Sequence, residues 1–279
     1  MLLLPALILV FALYIFPLGY SIQLSFCDFK LTRSTAPTFN GLENYIKLFR
    51  DNSFLRMAKN TFVWVVGSNI LHFIFGLGFA LILNTNIFGK GIWRGIFLLS
   101  WVTPVVVVGI IWKWLLNVQW GLINIYLMNL SIIDKPIDWL GRGVQLMIVL
   151  TIINGWKAYG FMFLNYLSGL QSIPVHLYEA ADVDGATGIK KFYYITLPML
   201  RSIIVISLLL GVAWTFNDFN MIWVLTKGGP GYESMVYGTY VYKQAFEFYN
   251  IGYASAIGVF GFLIMIILAY LYLKKYEEV

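Results

Sequence analysis

The sequence predicts an all-α, polytopic membrane protein with six transmembrane helices, and two observations lead to this fold class. Of the 279 residues, 60% are hydrophobic and only 11% are charged, and the mean hydropathy is +0.78. Soluble domains contain roughly 45–50% apolar and about 25% charged residues, so the excess apolar surface has to face lipid. The apolar residues also fall into runs of roughly 20 residues, the length that a helix needs to cross a bilayer.

Six runs are long enough to span a membrane, and they have to be helical because a spanning helix satisfies its own backbone hydrogen bonds. They cover residues 2–24, 61–84, 95–117, 145–170, 200–224 and 252–273. The first run has no basic residues before it and exceeds the apolar core of a signal peptide, so we expect it to be a retained span. Neither a tandem repeat nor a long flexible linker is visible, which predicts one membrane domain over residues 1–279.

Residues 42–60 are too charged to cross a membrane. Apolar side chains at Leu42, Ile46, Phe49 and neighbouring positions form stripes between the charges. Such a pattern is typical of helices that lie in the membrane interface. We therefore expect one or two interfacial helices here, on the outer surface.

Lysine and arginine residues predict the orientation, because cytoplasmic connections carry an excess of them. Placing both termini in the cytoplasm makes the inner connections short and basic. The clearest inside marker is the Lys274-Lys275 pair directly after the last run. The expected location is the cytoplasmic (inner) membrane, with multiple spans and both termini in the cytoplasm.

The most informative connection is the polar segment 171–198, with the sequence QSIPVHLYEAADVDGATGIKKFYYITLP. Pro174 favours the first turn of a helix, good helix formers follow it, and Gly185 suits the left-handed conformation that ends a helix. A second short helix, Gly188 to Thr196, should lead into the next span, with Pro198 letting the chain turn. The small residues of the first helix permit close approach of a partner backbone. From these residues alone, an ordinary amphipathic connector and a docking element both remain open.

The same segment carries a spaced motif, Glu179-Ala180-Ala181, then Asp184-Gly185-Ala186, then Ile195-x-Leu197-Pro198. This motif resembles the EAA loop of permeases from binding-protein-dependent ABC importers. The resemblance implies that residues 171–198 are a cytoplasmic coupling loop whose first helix docks on a separate ATPase subunit. The coupling residues that it implies are Glu179, Ala180, Ala181, Asp184, Gly185, Ile195, Leu197 and Pro198.

Further motifs extend the resemblance over nearly the whole chain. They are Gly41-Leu42-x-Asn44-Tyr45 with Asn60-Thr61, Trp112-Lys113-Trp114 with Gly121-Leu122-x-Asn124, and Phe216-Asn217-Asp218-Phe219 with Leu225-Thr226-Lys227-Gly228-Gly229-Pro230. They are similar to motifs of sugar-type permeases, the last combination to the maltose-type and glycerol-phosphate-type first subunits.

The family resemblance implies an ABC importer type I permease fold and the translocation of a carbohydrate or related polyol. The partners it implies are a second homologous permease subunit, two copies of a cytoplasmic ATPase subunit and an extracellular or periplasmic solute-binding protein. The lipid bilayer is a further partner, and nucleic acid is not expected.

Ionisable side chains inside a span are costly and are functional candidates by default. Lys157 lies near the middle of the fourth run and Asp218 in the outer half of the fifth, so they either pair or each face a water-filled cavity. Aligned on the shared motifs, the positions that match sugar contacts of maltose-type relatives, or neighbour one, are Trp101, Val105, Asn154, Lys157, Ala158, Thr215, Asn217 and Asp218. A packing role is an equal alternative for Trp101. Lys157 replaces an apolar residue of the maltose-type pattern, which leaves open whether the ligand is neutral or anionic.

Other function classes fit the sequence less well. A stand-alone secondary transporter or channel for a small polar solute is the alternative, but such folds commonly contain internal repeats, and the EAA-like loop would have no purpose there. An enzyme is disfavoured because HExxH and GxSxG are absent and the two histidines are far apart. We expect no catalytic residue, metal or cofactor. Because GxxxxGK[ST] is also absent, ATP hydrolysis is expected on a partner chain.

Overall fold

Helices account for nearly all of the regular structure. The computed structural model describes residues 3–277, without the side chains of Leu273 and of residues 275–277. The helices of membrane-spanning length are α1 (Leu4–Ser25), α3 (Asn52–Asn84), α7 (Val144–Ser172), α9 (Gly188–Asn217) and α12 (Ile251–Glu277). The shorter helices are α2 (Glu43–Arg50), α4 (Lys90–Val102), α5 (Val105–Leu115), α6 (Leu122–Asn129), α8 (Val175–Val183), α10 (Asn220–Thr226) and α11 (Tyr237–Tyr242).

The number of spans agrees with the sequence prediction. Among the described residues, five helices are long and apolar enough to cross a membrane, and α4 with α5 make a sixth span if the bent pair counts as one. The predicted start of the first span, Leu2, lies outside the described residues. Helix α3 begins at Asn52 rather than at residue 61, because the polar residues that precede the apolar run continue the same helix.

The predicted span 95–117 is not one straight helix. Helices α4 and α5 meet at an angle of 89°. Thr103 lies between them in an extended conformation (φ −61°, ψ 131°) and Pro104 follows. Proline has no N–H for the helical hydrogen-bond ladder and pushes the preceding residue out of the helical region, so the span breaks at this point.

The predicted span 200–224 is also interrupted. Helix α9 ends at Asn217, Asp218 is extended (φ −70°, ψ 106°), and the short helix α10 begins at Asn220. The Asp218 carboxylate accepts a hydrogen bond from the backbone N–H of Met221 at 3.3 Å. A side-chain acceptor of this kind stabilises the start of a new helix, which explains why the apolar run contains two helices.

Pro198 does not turn the chain, contrary to the sequence prediction. Helix α9 runs without a break from Gly188 to Asn217. A π-helical turn at Phe192–Thr196 precedes the proline, which lies at the start of the following α-helical stretch. The missing N–H is tolerated at such a position.

Residues 62–233 form one compact unit. Its core lies between α3, α7 and α9, and the fully buried side chains there include Leu83, Phe163, Tyr166 and Leu200. The helices approach closely at glycines, where a side chain would collide with the neighbouring helix. At Gly76, for example, an added Cβ would lie 2.9 Å from the Cβ atom of Met162.

Residues 1–61 and 234–279 group into a second unit. Helix α1 packs along α12, and two short strands, β1 (Cys27–Asp28) and β2 (Thr38–Phe39), pair antiparallel. The sequence did not predict this small ladder. The expectation of a single membrane domain stays a prediction.

Segment 42–60 contains one separate helix, α2. Its exposed side includes Leu42, Ile46 and Phe49, whereas Asn44 and Leu48 are buried. The rest of the segment belongs to α3. At the other end of the chain Lys274 is exposed, and the side chain of Lys275 lies outside the described residues.

Candidate functional site

The motif-bearing segment after α7 forms a short helix with a defined end. Pro174 immediately precedes α8, in an extended conformation, rather than lying in its first turn as predicted. After α8, Gly185 has a φ of +70°, a left-handed conformation that glycine adopts without strain. The N–H groups of Gly185 and Ala186 bond the carbonyls of Asp182 and Ala181 at 3.0 and 2.8 Å, which satisfies the end of the helix.

One side of α8 is anchored and the other is free. Leu177 and Tyr178 pack against the core of α3, α7 and α9, whereas Val175 and Val183 are 68% and 89% exposed. Of the predicted coupling residues, Glu179, Ala180, Asp184, Gly185 and Pro198 are exposed, and Ala181, Ile195 and Leu197 are partly buried. The helix is therefore a fixed projection with an accessible outer surface.

Two side-chain contacts tie α8 to the beginning of α9. The hydroxyls of Tyr178 and Thr196 hydrogen-bond at 2.9 Å, and Lys191 forms an ion pair with Asp182. These contacts fix α8 to a helix that is continuous from Gly188 to Asn217. Sequence reasoning missed this brace, because no local pattern indicates that residues 18 positions apart will meet.

A second polar group lies at the break between α4 and α5. The Lys157 ammonium, on α7, donates a hydrogen bond to the backbone carbonyl of Trp101 at 2.8 Å. Trp101 is in the last turn of α4, where carbonyls have no helical partner and carry partial negative charge. Lys157 therefore stabilises the free end of the broken helix.

Asp218 contributes the opposite charge. It is partly buried between α9 and α10, and its backbone N–H bonds the carbonyl of Thr215 at 3.3 Å. The charges of Lys157 and Asp218 attract each other, but in the described part of the chain no ion pair within 4.0 Å joins them. Both groups retain hydrogen-bonding capacity for a third partner.

The other predicted contact residues divide into accessible and buried positions. Trp101 is 38% exposed, Val105 and Ala158 are half-buried, and Asn217 is exposed. The side chains of Asn154 and Thr215 are only 3% and 4% exposed. The structure thus brings Lys157 close to both Trp101 and Asp218, and these three residues are at least partly accessible, whereas Asn154 and Thr215 are buried.

A cavity of about 540 Å³ lies in the angle between α4 and α5, against α3 and α7. Half of its lining residues are aromatic, and these are Phe75, Phe79, Phe97, Trp112, Trp156 and Tyr159. Trp112 and Trp156 meet edge to face, with ring centroids 5.8 Å apart. Ser100, Thr103 and Tyr159 are the hydroxyl-bearing residues of the lining, and neither Lys157 nor Asp218 belongs to it.

Metal ligands are not grouped anywhere in residues 3–277. No set of three or more described His, Cys, Asp or Glu side chains could hold an ion.

Comparison with known proteins assigns these features to a family. Residues 72–275 match the family described as binding-protein-dependent transport system inner membrane component. The chain belongs to this family. It is a multi-pass membrane permease subunit of an ABC importer, and the subunit itself is non-catalytic because the ATPase of such systems is a separate chain.

Two relatives illustrate the sequence similarity of this permease. The trehalose/maltose transport system permease protein MalF of Thermococcus litoralis is 36% identical over 85% of this chain and 79% of its own. The sulfoquinovosyl glycerol transport system permease protein SmoG of Agrobacterium fabrum is 33% identical over 98% of this chain and 88% of its own.

Solved structures confirm the permease fold. A chain of a bacterial ABC transporter involved in the import of the acidic polysaccharide alginate superimposes with a TM-score of 0.84 at 23% identity, covering 100% of this chain and 94% of that one. A chain of the MetNI methionine ABC transporter gives a TM-score of 0.55 at 16% identity, covering 85% of this chain and 98% of that one. These similarities establish the fold alone.

Proposed function

We propose that this permease subunit imports a carbohydrate or related polyol, delivered to the outer face by a solute-binding protein and driven by ATP hydrolysis on a partner. The two relatives described above are named as permeases for trehalose/maltose and for sulfoquinovosyl glycerol, which supports a sugar-containing substrate. The observation that carries the coupling role is α8, a short helix anchored on one side, exposed on the other and braced to a continuous helix.

In this proposal α8 lies on the cytoplasmic side, together with both termini. Two copies of an ATPase subunit and a second, homologous permease complete the transporter. When the ATPase subunits close on ATP, they displace α8. The contacts Tyr178–Thr196 and Asp182–Lys191 pass the displacement to α9. The far end of α9 precedes Asp218, so the motion reaches the polar groups that we assign to the substrate.

The substrate contacts follow from the chemistry of the accessible groups. The Lys157 ammonium donates to hydroxyl or anionic oxygens, and the Asp218 carboxylate accepts from hydroxyls. The Trp101 ring offers an apolar face to the C–H surface of a sugar. In this proposal Val105, Ala158 and Asn217 supply further contacts, and Asn154 and Thr215 contribute after a rearrangement, because their side chains are buried.

The coupling role is tested at Gly185. No atom lies within 4 Å of an added Cβ there, so a substitution acts through the backbone rather than through a collision. We expect Gly185→Val to lower uptake by about tenfold or more while membrane insertion persists, since left-handed backbone strains a β-branched residue by more than the roughly 1–2 kcal/mol of other side chains. Gly185→Asn is the matched control, because asparagine tolerates this conformation, and it should retain most of the uptake.

Normal uptake by Gly185→Val would contradict the coupling role. Co-purification from the native membrane tests the partners: an ATPase and a second permease should accompany the chain. Transport by the purified chain alone would instead favour a stand-alone secondary transporter.

A further inference from the structure

Helix α3 carries a buried polar stripe in the middle of the unit formed by residues 62–233. Trp64, Asn69 and His72 follow one another over about two turns of this helix and are 0%, 5% and 3% exposed. Polar side chains inside a span are costly to place there and seldom lack a specific partner. Each of the three contacts a helix that carries a proposed substrate residue.

Trp64 and Asn69 hold the end of α9. The indole N–H of Trp64 donates to the backbone carbonyl of Thr215 at 3.1 Å, and the Asn69 amide donates to the Thr215 hydroxyl at 3.4 Å. The same Thr215 carbonyl accepts the backbone N–H of Asp218 at 3.3 Å. The Trp64 indole and the backbone N–H of Asp218 therefore donate to the same carbonyl oxygen.

His72 holds the middle of α7. Its Nε2 atom lies 3.1 Å from the backbone carbonyl oxygen of Asn154. A carbonyl oxygen only accepts hydrogen bonds, so His72 is the donor and carries its proton on Nε2. Asn154 precedes Lys157 by three residues, slightly less than one helical turn, so this contact lies one turn from the lysine on the same helix.

Close packing between α3 and α7 limits how far one helix can slide along the other. An added Cβ at Gly155 would lie 2.7 Å from the Leu71 side chain, and one at Gly67 would lie 2.8 Å from Thr151. Helices α3 and α7 therefore touch through glycine next to the His72 contact and about one turn before it. Such contacts leave little freedom for α7 to slide along α3.

We propose that Trp64 and His72 are positioning residues that use α3 as a common support, fixing the separation between Lys157 on α7 and Asp218 after α9. Neither residue contacts the solute itself. That the separation matters for the solute depends on the function proposed above. Loss of either donor should change the distance between the two helices first and the affinity for substrate as a consequence.

The distance is measured without substrate, in the assembled transporter. Spin labels are attached at Ile152→Cys on α7 and Asn220→Cys on α10, both exposed, in a Cys27→Ser background. We expect a narrow distance distribution in the parent, a broadened or shifted one in His72→Leu and in Trp64→Phe, and a restored one in His72→Gln, whose amide keeps a donor. The control Asn165→Leu removes a side-chain bond that stays within α7, and it should leave the distribution unchanged.

The second arm measures binding-protein-dependent uptake of radiolabelled trehalose in proteoliposomes. His72→Leu should raise the half-saturation concentration about three- to tenfold, as expected for loss of one interhelical hydrogen bond in a membrane, with a smaller change in the maximal rate and with rescue by His72→Gln. An unchanged distance distribution in His72→Leu, or equal damage in His72→Gln, overturns the positioning role. If the unmodified transporter imports none of a panel of carbohydrates that includes trehalose, the proposed function fails while the distance measurement still decides the positioning role.

Discussion

Pro104 and Pro198 stand beside apolar runs of the same unit, and they have opposite effects on the chain. At Pro104 the preceding residue is extended and two helices meet at 89°. At Pro198 the helix continues, because a π-helical turn precedes the proline and the missing N–H falls where a new α-helical stretch begins. A proline therefore breaks a span only when its neighbours leave no other way to satisfy the hydrogen-bond ladder.

The difference matches the different tasks that we propose for the two regions. The break at Pro104 frees the carbonyl of Trp101, which Lys157 then binds. The continuity at Pro198 gives α8 a rigid connection to the rest of the unit. Broken helices suit places where backbone groups are needed for polar contacts, and unbroken ones suit places where motion is transmitted.

Of the substitutions that test this contrast, Pro104→Ala should cause the largest loss of uptake. Removing the proline takes away a penalty of about 3 kcal/mol against a continuous helix, so α4 and α5 would straighten and the Trp101 carbonyl would gain a helical partner instead of Lys157. We expect uptake in proteoliposomes to fall by about tenfold or more. Pro198→Ala is the matched control, and since its helix is already continuous it should stay within about twofold of the parent. Equal effects of the two substitutions would refute the contrast.

Lys157→Met should have an intermediate effect. Methionine keeps much of the apolar stem but loses the donor to Trp101, and hydrogen bonds to charged groups contribute about 1.5–3 kcal/mol. We expect half-maximal uptake to require a higher substrate concentration. We also expect faster proteolysis near residues 103–104 of the purified transporter.

Lys113→Met controls for loss of a lysine from the neighbouring helix. Lys113 is exposed on α5, so this variant should behave like the parent. A Lys157→Met transporter with unchanged uptake would remove Lys157 from the site.

Tyr178→Phe should have a smaller effect on the coupling side. It removes the hydrogen bond to Thr196, about 1 kcal/mol in a partly buried position, and leaves the ring in the core. We expect the ATP hydrolysed per imported solute to rise by about two- to fivefold, measured in parallel assays. Tyr194→Phe, at an 80% exposed position on the same segment, should not change this ratio, and an unchanged ratio in Tyr178→Phe would argue against the brace.

The smallest effect is expected at a helix junction that has no proline. Asp51 separates α2 from α3, and its carboxylate accepts bonds from the hydroxyls of Tyr240 and Tyr253 at 2.7 and 2.9 Å and from the N–H of Ser53 at 2.9 Å. Burial alone would raise the pKa of Asp51, but these hydrogen bonds outweigh burial and lower the pKa below its usual value of 3.8.

A lowered pKa means that the ionised carboxylate stabilises the folded state at neutral pH, and that this stability is lost as the pH falls below 3.8 and through the lowered value. We expect the difference in melting temperature between the parent and Asp51→Asn to be constant from neutral pH to about 5 and to shrink below about 4. A difference that does not depend on pH would show that the charge is irrelevant.

Hydropathy was sufficient to predict the number and approximate position of the apolar segments, because runs of this length form helices in a bilayer, but it did not predict the breaks after Val102 and Asn217. The left-handed turn at Gly185 was also predictable, because few residues other than glycine adopt this conformation without strain. The opposite outcomes at Pro104 and Pro198 were not, because both depend on how the preceding turn is packed. The Lys157–Trp101 and Tyr178–Thr196 contacts were also beyond reach, since they join residues that are distant in sequence.

The central claim is that α8 is a cytoplasmic projection that receives force from a separate ATPase. The most direct test uses the Ala181→Cys variant in a Cys27→Ser background. Thiol crosslinking in native membranes should join this position to the ATPase, and impermeant thiol reagents should label it only from the cytoplasmic side once the ATPase is removed. Labelling from the external side, or protection by lipid with no ATPase crosslink, would contradict the claim.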